Sequence, residues 1–366
     1  MKAAVIYAVN EPLVVEEIEL DPPKDREVLV RYVASGVCHS DLHIMRGTIP
    51  RPMPMVLGHE GAGIVEAVGP NVTLVKPGDH VVLSWVPSCG VCHSCTTGRM
   101  YLCDTAAQLM YEGFMLDGTI RMHKGEQPIR HMNMLSTFAE RAVVPESACI
   151  PIRKDMPLDR AALLGCAVMT GVGAAVNTAH VEAGSTVAVF GCGGVGLNVV
   201  QGAMLAGAGK IIAIDLLENK LEYARTFGAT HTINAAREDP VARIKELTGG
   251  AGADYAFDAV GHPQLVRQGF EATRRGGTVV VIGMMGPGVE FSIPGRPFVA
   301  QEKRILASFY GSGRLRVDIP RLADLYLAGK LKLDELISRR FALEEINTAF
   351  EALERGEVAR GVIVYS

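Results

Sequence analysis

The sequence predicts an α/β protein in which a β-rich, barrel-like domain is joined to a domain built on a doubly wound parallel sheet. Two rhythms and one loop carry this reading. Over residues 1–167, short β-type runs are punctuated by Gly and Pro, the spacing of a β-rich domain. Over 168–310, apolar strands alternate with helical stretches, which implies βαβ units and a sheet covered on both faces. A glycine-rich turn joins the first of these strands to the first helix. Residues 311–366 are mixed and amphipathic, and are expected to return to the first domain.

In chain order, the first domain shows β-type runs at 28–33, 63–68 and 79–83. In the second domain the apolar runs 186–190, 211–215, 255–258 and 278–282 predict parallel strands. The stretches 195–206 and 220–227 predict intervening helices.

Composition narrows the function classes. With 366 residues, nearly half of them apolar, the chain can build two domains with substantial cores. The formal net charge of -4 is spread with mixed signs, and no basic stripe interleaved with aromatics appears, so nucleic acid is not an expected partner. The N-terminal apolar run is too short for a signal peptide. The longest apolar stretches fall below the roughly 18 residues of a membrane span. A soluble, cytoplasmic protein is expected, with its eight cysteines reduced and serving as ligands, reactive thiols or core residues. Cys149, between Ala148 and Ile150, reads as core.

The glycine turn is Gly191-Cys192-Gly193-Gly194-Val195-Gly196, a match to G-x-G-x-x-G. Its context makes it informative: a strand precedes it, a helix follows, and Asp215 ends the next strand 19 residues after Gly196. This is the dinucleotide fingerprint. The first glycine makes the turn, the second admits the pyrophosphate, and the third lets helix and strand pack. The helix N-terminus offers N–H groups to the anion. Asp215 would accept the adenosine ribose hydroxyls and repel a 2′-phosphate, so NAD is expected over NADP.

Cys89, Cys92, Cys95 and Cys103 read C-x2-C-x2-C-x7-C. Thiols crowded into one loop in a reducing compartment point to a closed, structural zinc site. An iron–sulfur cluster fits less well, because Asp104 rather than Pro follows the last cysteine and the final spacing is long. Cys38, His59 and Cys166 could form a second, three-ligand site with one position open, the pattern of catalytic zinc. Taken singly, each of these residues is as easily a core thiol or a satisfied polar group.

Taken together, Gly36-Val37-Cys38-His39-Ser40-Asp41, Gly58-His59-Glu60-Gly61-Ala62-Gly63, the four-cysteine loop, Gly165-Cys166, the glycine turn and Asp215 resemble the zinc-dependent alcohol dehydrogenases of the medium-chain dehydrogenase/reductase superfamily over the whole chain. The resemblance implies a GroES-like catalytic domain and a Rossmann domain. It implies two zinc ions per chain, with Cys38, His59 and Cys166 on the catalytic one and Glu60 close by. Asp41 would orient His59, and Ser40 and His43 would relay protons. His39, where relatives often carry Arg, and Arg360 would meet the cofactor pyrophosphate. Lys220 would lie beside the adenosine ribose, and Thr170 and Val195 would pack on the nicotinamide. Trp85, Met132 and Met284, with Ser40, would line the substrate pocket. The long stretch between Cys103 and Cys166 resembles the dimeric branch, so a homodimer is expected, with a tetramer as the alternative.

The expected activity is reversible NAD(H)-linked oxidation of small-molecule alcohols to aldehydes. Two neighbouring activities stay open: a thiol-adduct formaldehyde dehydrogenase, and a nicotinoprotein that keeps NAD bound and passes electrons onward. The glutathione-linked enzymes use a basic residue in the loop after the structural zinc, and 104–116 has no Lys or Arg. Uncharged primary alcohols, linear or benzylic, are therefore expected, with the Trp85 indole narrowing the channel against branched carbons.

Overall fold

A computed structural model describes all residues, Met1–Ser366. The chain forms two units, one made of Met1–Cys166 with Arg314–Ser366, the other of Ala167–Gly313. The divisions expected at 167/168 and 310/311 thus fall one and three residues away.

The first unit is β-rich. Its larger sheet has seven strands, with Glu27–Val37 at the centre, flanked by Glu60–Val68 on one side and Arg360–Val364 on the other. Glu27–Val37 is held there by its period-two pattern: Val28, Val30, Tyr32 and Ala34 are buried while Leu29, Arg31 and Val33 are only partly covered. Arg360–Val364 pairs antiparallel with Glu27–Val37 and parallel with Ile337–Phe341. The segment after residue 313 therefore closes the sheet begun at residue 27. The smaller, six-stranded sheet includes Lys2–Ile6, Met55–Val56 and Gln127–His131. Cys149 is fully buried among Val30, Tyr32, Leu83 and Val144, a core residue.

The segment that follows the four cysteines is pinned to the central strand by charge. Arg121 has no exposed surface. Its Nε and Nη2 donate to the two carboxylate oxygens of Glu27 at 2.9 and 2.6 Å, and Nη2 also donates to Asp117 at 2.7 Å. A buried guanidinium is tolerated only with such bidentate compensation. The Arg121 amide donates to His131 Nε2 at 3.0 Å. His131 is fully buried, and burial together with the Arg121 charge holds its imidazole down to about 3.

The second unit carries one parallel sheet in the order His231–Asn234, Lys210–Asp215, Thr186–Phe190, Ala253–Asp258, Thr273–Val281, Arg304–Ala307. In chain order this is 3-2-1-4-5-6, the doubly wound arrangement, with its switch point beside Thr186–Phe190. The helices Gly194–Leu205 and Glu218–Thr226 lie within two residues of the sequence expectation. Val187, Ala188, Val189 and Phe190 are all buried, as both-face coverage requires.

One sequence expectation is corrected. Leu158–Thr178 forms a 21-residue helical run, long and apolar enough by length and composition to cross a membrane, and it is mostly buried inside the protein. The charged pair Asp159-Arg160 and the interspersed glycines hide the run in the sequence. Its apolar surface is taken up by protein packing.

The His131 environment sets an acid limit. An unfolded histidine binds a proton below about 6.5, whereas folded His131 does so only near 3, so stability falls as pH drops through that window. At about pH 5 the cost should be about 2 kcal/mol. Urea midpoints near neutrality and near pH 5 should show this loss, and His131→Gln, which keeps an acceptor for the Arg121 amide, should flatten the dependence.

Candidate functional site

Cys38 ends the Glu27–Val37 strand and opens the helix His39–Met45. His59 follows Gly58 immediately before Glu60–Val68. Cys166 lies in the Leu158–Thr178 helical run, within a wide π-type turn over Leu164–Val168. Folding brings one ligand atom each of Cys38, His59, Glu60 and Cys166 within 4.8 Å of one another, all four residues buried.

Asp41 organises this cluster. It is completely buried, and its Oδ1 accepts the Gly58 amide at 3.0 Å and lies 3.1 Å from His59 Nδ1. With the Nδ1 proton committed to Asp41, Nε2 is the His59 atom left to meet an ion, and it has no protein hydrogen-bond partner. Gly58 has φ +94, and a Cβ there would meet Thr137 Oγ1 at 2.5 Å, so only glycine makes this turn.

Glu60 and Arg360 close the other side. Both are buried, and Arg360 Nη2 donates to Glu60 Oε2. A Cβ at Gly36 would lie 2.0 Å from Glu60 Oε2, which explains the glycine before Val37-Cys38. The sequence set Arg360 against a pyrophosphate; the structure gives its guanidinium a carboxylate partner within the cluster. Burial raises the Glu60 carboxyl, opposed by Arg360. Cys38 is held well below its usual range, first by a hydrogen bond from Cys166, then by Arg360 and His59 against the cost of burial. Cys166 is correspondingly raised, first by that hydrogen bond and then by burial. Burial works against charge on His59, but Asp41 and Cys38 raise it well above its usual range. The cluster is thus a set of sulfur and nitrogen donors in which Cys38 is driven toward thiolate and His59 toward its protonated form, so that a bound cation would displace the Nε2 proton. These donors fit zinc, with Glu60 as an adjacent oxygen.

The second donor group is the four-cysteine loop, whose sulfurs also lie within 4.8 Å of one another. Amides of Cys89 and Ala106 donate to Cys103 Sγ at 3.3 and 3.4 Å, and that of Cys92 to Cys89 Sγ at 3.4 Å. Burial opposes charge on Cys89, yet Thr105 and the amides of Val91 and Cys92 bring its thiol down to about 6. Burial pushes Cys95 up to about 12. A closed four-sulfur set with amide donors fits a structural zinc.

In the second unit, Gly191 has φ +91, and a Cβ at Gly196 would lie 1.8 Å from Gly191 O. Around Gly193 nothing lies within 4 Å of a built Cβ, the open space a pyrophosphate needs. Gly193 caps Gly194–Leu205, with Gly194 and Val195 in its first turn. Asp215 does more than the fingerprint assigns it. Its Oδ2 accepts the Cys192 amide at 2.8 Å and its Oδ1 the Leu217 amide at 3.1 Å, so it also fixes the glycine turn.

The remaining expected residues fall as follows. Ser40 is half-buried, its Oγ 3.9 Å from Cys38 Sγ. His43 is half-buried one helical turn on, and its ring lies 6.5 Å from that of the exposed His39. Trp85 sets its ring edge-on to His59, with centroids 6.4 Å apart. Met132 is packed in the core with Leu57 and Phe138. Thr170 and Lys220 are half-buried in the second unit, in the helices Met169–Gly173 and Glu218–Thr226, and Met284 is 60% exposed there. Sequence reasoning missed the Glu60–Arg360 pair and the role of Thr105. The signal for the pair was Gly36, whose missing side chain leaves the carboxylate its room.

Comparison with known proteins agrees with this geometry. Residues 24–154 match the family model "Alcohol dehydrogenase GroES-like domain", and residues 194–328 match "Zinc-binding dehydrogenase". The chain is 44% identical to the NDMA-dependent alcohol dehydrogenase of Amycolatopsis methanolica, covering 100% of this chain and 99% of that one. It is 41% identical to the S-(hydroxymethyl)glutathione dehydrogenase of Paracoccus denitrificans, covering 100% and 99%. Among solved structures, the benzyl alcohol dehydrogenase of Acinetobacter calcoaceticus superposes with a TM-score of 0.95 at 36% identity, covering 100% and 99%.

Removing the charge of Asp41 while keeping its shape isolates its role. Asp41→Asn should leave the fold intact and weaken metal retention by about 10–100-fold, read by competition with a chromogenic chelator.

Proposed function

Because the chain belongs to the zinc-dependent alcohol dehydrogenases of the medium-chain dehydrogenase/reductase superfamily, and is thus an oxidoreductase, we propose that it interconverts primary alcohols and aldehydes with NAD(H) and two zinc ions per chain. The observation that carries this is the buried Cys38–His59–Cys166 donor set, with Asp41 behind His59 and Glu60 beside it. When bound, zinc supplies a Lewis acid that lowers the pKa of a hydroxyl, and NAD accepts the hydride.

The chain's own residues do the rest. Asp41 fixes the His59 tautomer. Ser40 Oγ, 3.9 Å from Cys38 Sγ, supports a role as first acceptor of the hydroxyl proton. Ser40 and His43 are three residues apart on one helix, hence on one face, which supports His43 as the group that passes the proton to solvent. The Trp85 edge against His59 supports exclusion of a branched carbon at the reacting centre. Asp215 supports NAD over NADP by acceptor geometry and charge. His39, Lys220, Thr170 and Val195 are proposed for the cofactor, and Met132 and Met284 for the apolar substrate tail. A homodimer in the cytoplasm completes the reading. It rests on the long 103–166 stretch and on eight unpaired cysteines, and light scattering of the pure protein should give twice the chain mass.

The 44% identity to an NDMA-dependent relative favours a second reading, in which NAD stays bound and electrons leave for an external acceptor. Release of NAD on denaturing the purified protein, with turnover only when an acceptor is added, would select it. The thiol-adduct reading draws on the Paracoccus relative, and added thiol should leave formaldehyde oxidation unchanged unless that reading holds.

Two measurements test the main proposal. Metal analysis should give two zinc ions per chain; Cys95→Ser should cost folding, and Cys38→Ser should cost turnover first. Steady-state rates over primary, secondary and benzylic alcohols should favour primary ones, with NAD preferred to NADP by about tenfold or more. Trp85→Ala should raise kcat/KM for secondary alcohols relative to primary. Equal use of the two cofactors, or a wild-type preference for secondary alcohols, would contradict it.

A further inference from the structure

Residues 132–137 form a loop that is buried along its length, with Met134, Leu135, Ser136 and Thr137 fully covered and Asn133 8% exposed. Its backbone is unusual. Asn133, Met134 and Ser136 have φ of 52, 59 and 52, in the left-handed region that side chains disfavour. The Leu135 amide closes a turn on the Met132 carbonyl at 2.9 Å, with Asn133 and Met134 between them. Hydroxyls then pin the loop. Tyr32 donates to the Leu135 carbonyl at 2.7 Å. Ser136 Oγ donates to the Val56 carbonyl at 3.0 Å and accepts the Met132 amide at 3.1 Å. The Ser35 and Thr137 hydroxyls bond at 2.5 Å, and Tyr365 donates to the Thr137 carbonyl.

The Asn133 carboxamide stands outside this network. It has two N–H donors and an acceptor oxygen, it is more than nine-tenths buried, and no protein group bonds it. Buried amides are almost always paired, because an unpaired one is costly. Neither amide atom is among the fully sealed, unpaired polar atoms of the protein, so the 8% of Asn133 that stays exposed includes its amide. A bland role would be conformational, since Asn tolerates left-handed backbone. Met134 adopts the same region at the next position without that tolerance, so the pinning enforces the turn and leaves the amide unexplained.

The loop is pressed against the His59 side of the thiol cluster. The Met132 amide donates to the Val56 carbonyl at 3.2 Å, and the Thr137 amide to the Gly58 carbonyl at 3.0 Å. Gly58 precedes His59 and gives its own amide to Asp41. Leu135 belongs to the apolar cluster on which Trp85 packs, and the Trp85 ring stands edge-on to His59. Asn133 therefore sits at the turn of a rigid loop anchored one residue from a metal-site histidine.

We propose that Asn133 is a specificity-determining residue whose carboxamide hydrogen-bonds a neutral oxygen of the substrate, beyond the reacting hydroxyl. This rests on the alcohol-oxidation reading and narrows it. The preferred class becomes uncharged primary alcohols that carry a second hydroxyl or an ether oxygen. A pinned loop holds the amide ready, so little order is lost on binding. A buried amide left unpaired by a purely apolar tail penalises that tail.

An oxygen walk along one chain length tests this. 1-Hexanol is compared with 2-propoxyethanol, 3-ethoxypropan-1-ol, 4-methoxybutan-1-ol and 1,5-pentanediol, which place an oxygen at successive positions. The wild-type enzyme should favour one position, and Asn133→Gly, which keeps the left-handed turn and removes the amide, should lower the kcat/KM ratio of that compound to 1-hexanol about three- to tenfold. Asn133→Asp keeps the shape but has no N–H donor. It should lose the preference for an ether, which can only accept, and keep more of that for the diol, which can donate. If Asn133→Gly fails to fold, this split between ether and diol decides. No favoured position in the wild type, or equal losses on all compounds in the glycine variant, would overturn the proposal and leave Asn133 a turn residue. Calorimetric titration of the same compounds reads affinity without turnover. If no alcohol is oxidised, the alcohol-oxidation reading fails, while a selective loss of affinity in Asn133→Gly still supports the amide contact and unchanged relative affinities overturn it.

Discussion

The first unit is organised around negative charge held out of water. Cys38, Glu60 and Cys166 converge in a space where an isolated ion costs several kcal/mol. Arg360 answers part of that charge, and the hydrogen bond from the Cys166 thiol to Cys38 answers more. The surroundings follow from this demand. Gly36 must lack a side chain because the Glu60 carboxylate occupies its Cβ position. Asp41 sits on the opposite side of His59, where its charge turns the imidazole rather than crowding the sulfurs. A divalent cation among these donors would displace the thiol protons and answer the whole set at once.

The second unit is built on the opposite principle at its glycine turn. No side-chain cation belongs to the glycine turn; it presents backbone N–H groups and a helix N-terminus. That requires main chain without side chains, hence the 1.8 Å approach that only Gly196 permits against Gly191 O. One carboxylate oxygen of Asp215 holds the Cys192 amide and so shapes the turn.

Strands and helices of the second unit were legible because parallel βαβ sequence is strongly periodic, and Thr186–Phe190 matches its expected bounds. The four-cysteine loop was legible because thiols at that spacing have few other uses, whereas Cys38, His59 and Cys166, ambiguous singly, were legible through the resemblance that their flanking motifs carry. What escaped was pairing across sequence distance. Nothing local to Arg360 announces Glu60, 300 residues earlier, and nothing near Arg121 announces Glu27. The buried helix Leu158–Thr178 escaped because charges and glycines interrupt its apolar pattern.

The placing of Arg360–Val364 between Glu27–Val37 and Ile337–Phe341 has a temporal consequence. A ribosome releases the chain from its N-terminus, and domains generally fold in that order. Here the nascent first unit emerges with the Ala34–Val37 edge of its principal sheet unpaired and an unanswered Glu60 carboxylate. Residues 167–313, which hold all six strands of the parallel sheet, are synthesised before Ile337–Phe341 and Arg360–Val364 exist. The dinucleotide unit can therefore mature while the thiol cluster waits, and the assembly of the metal centre becomes one of the last events in the biogenesis of the protein.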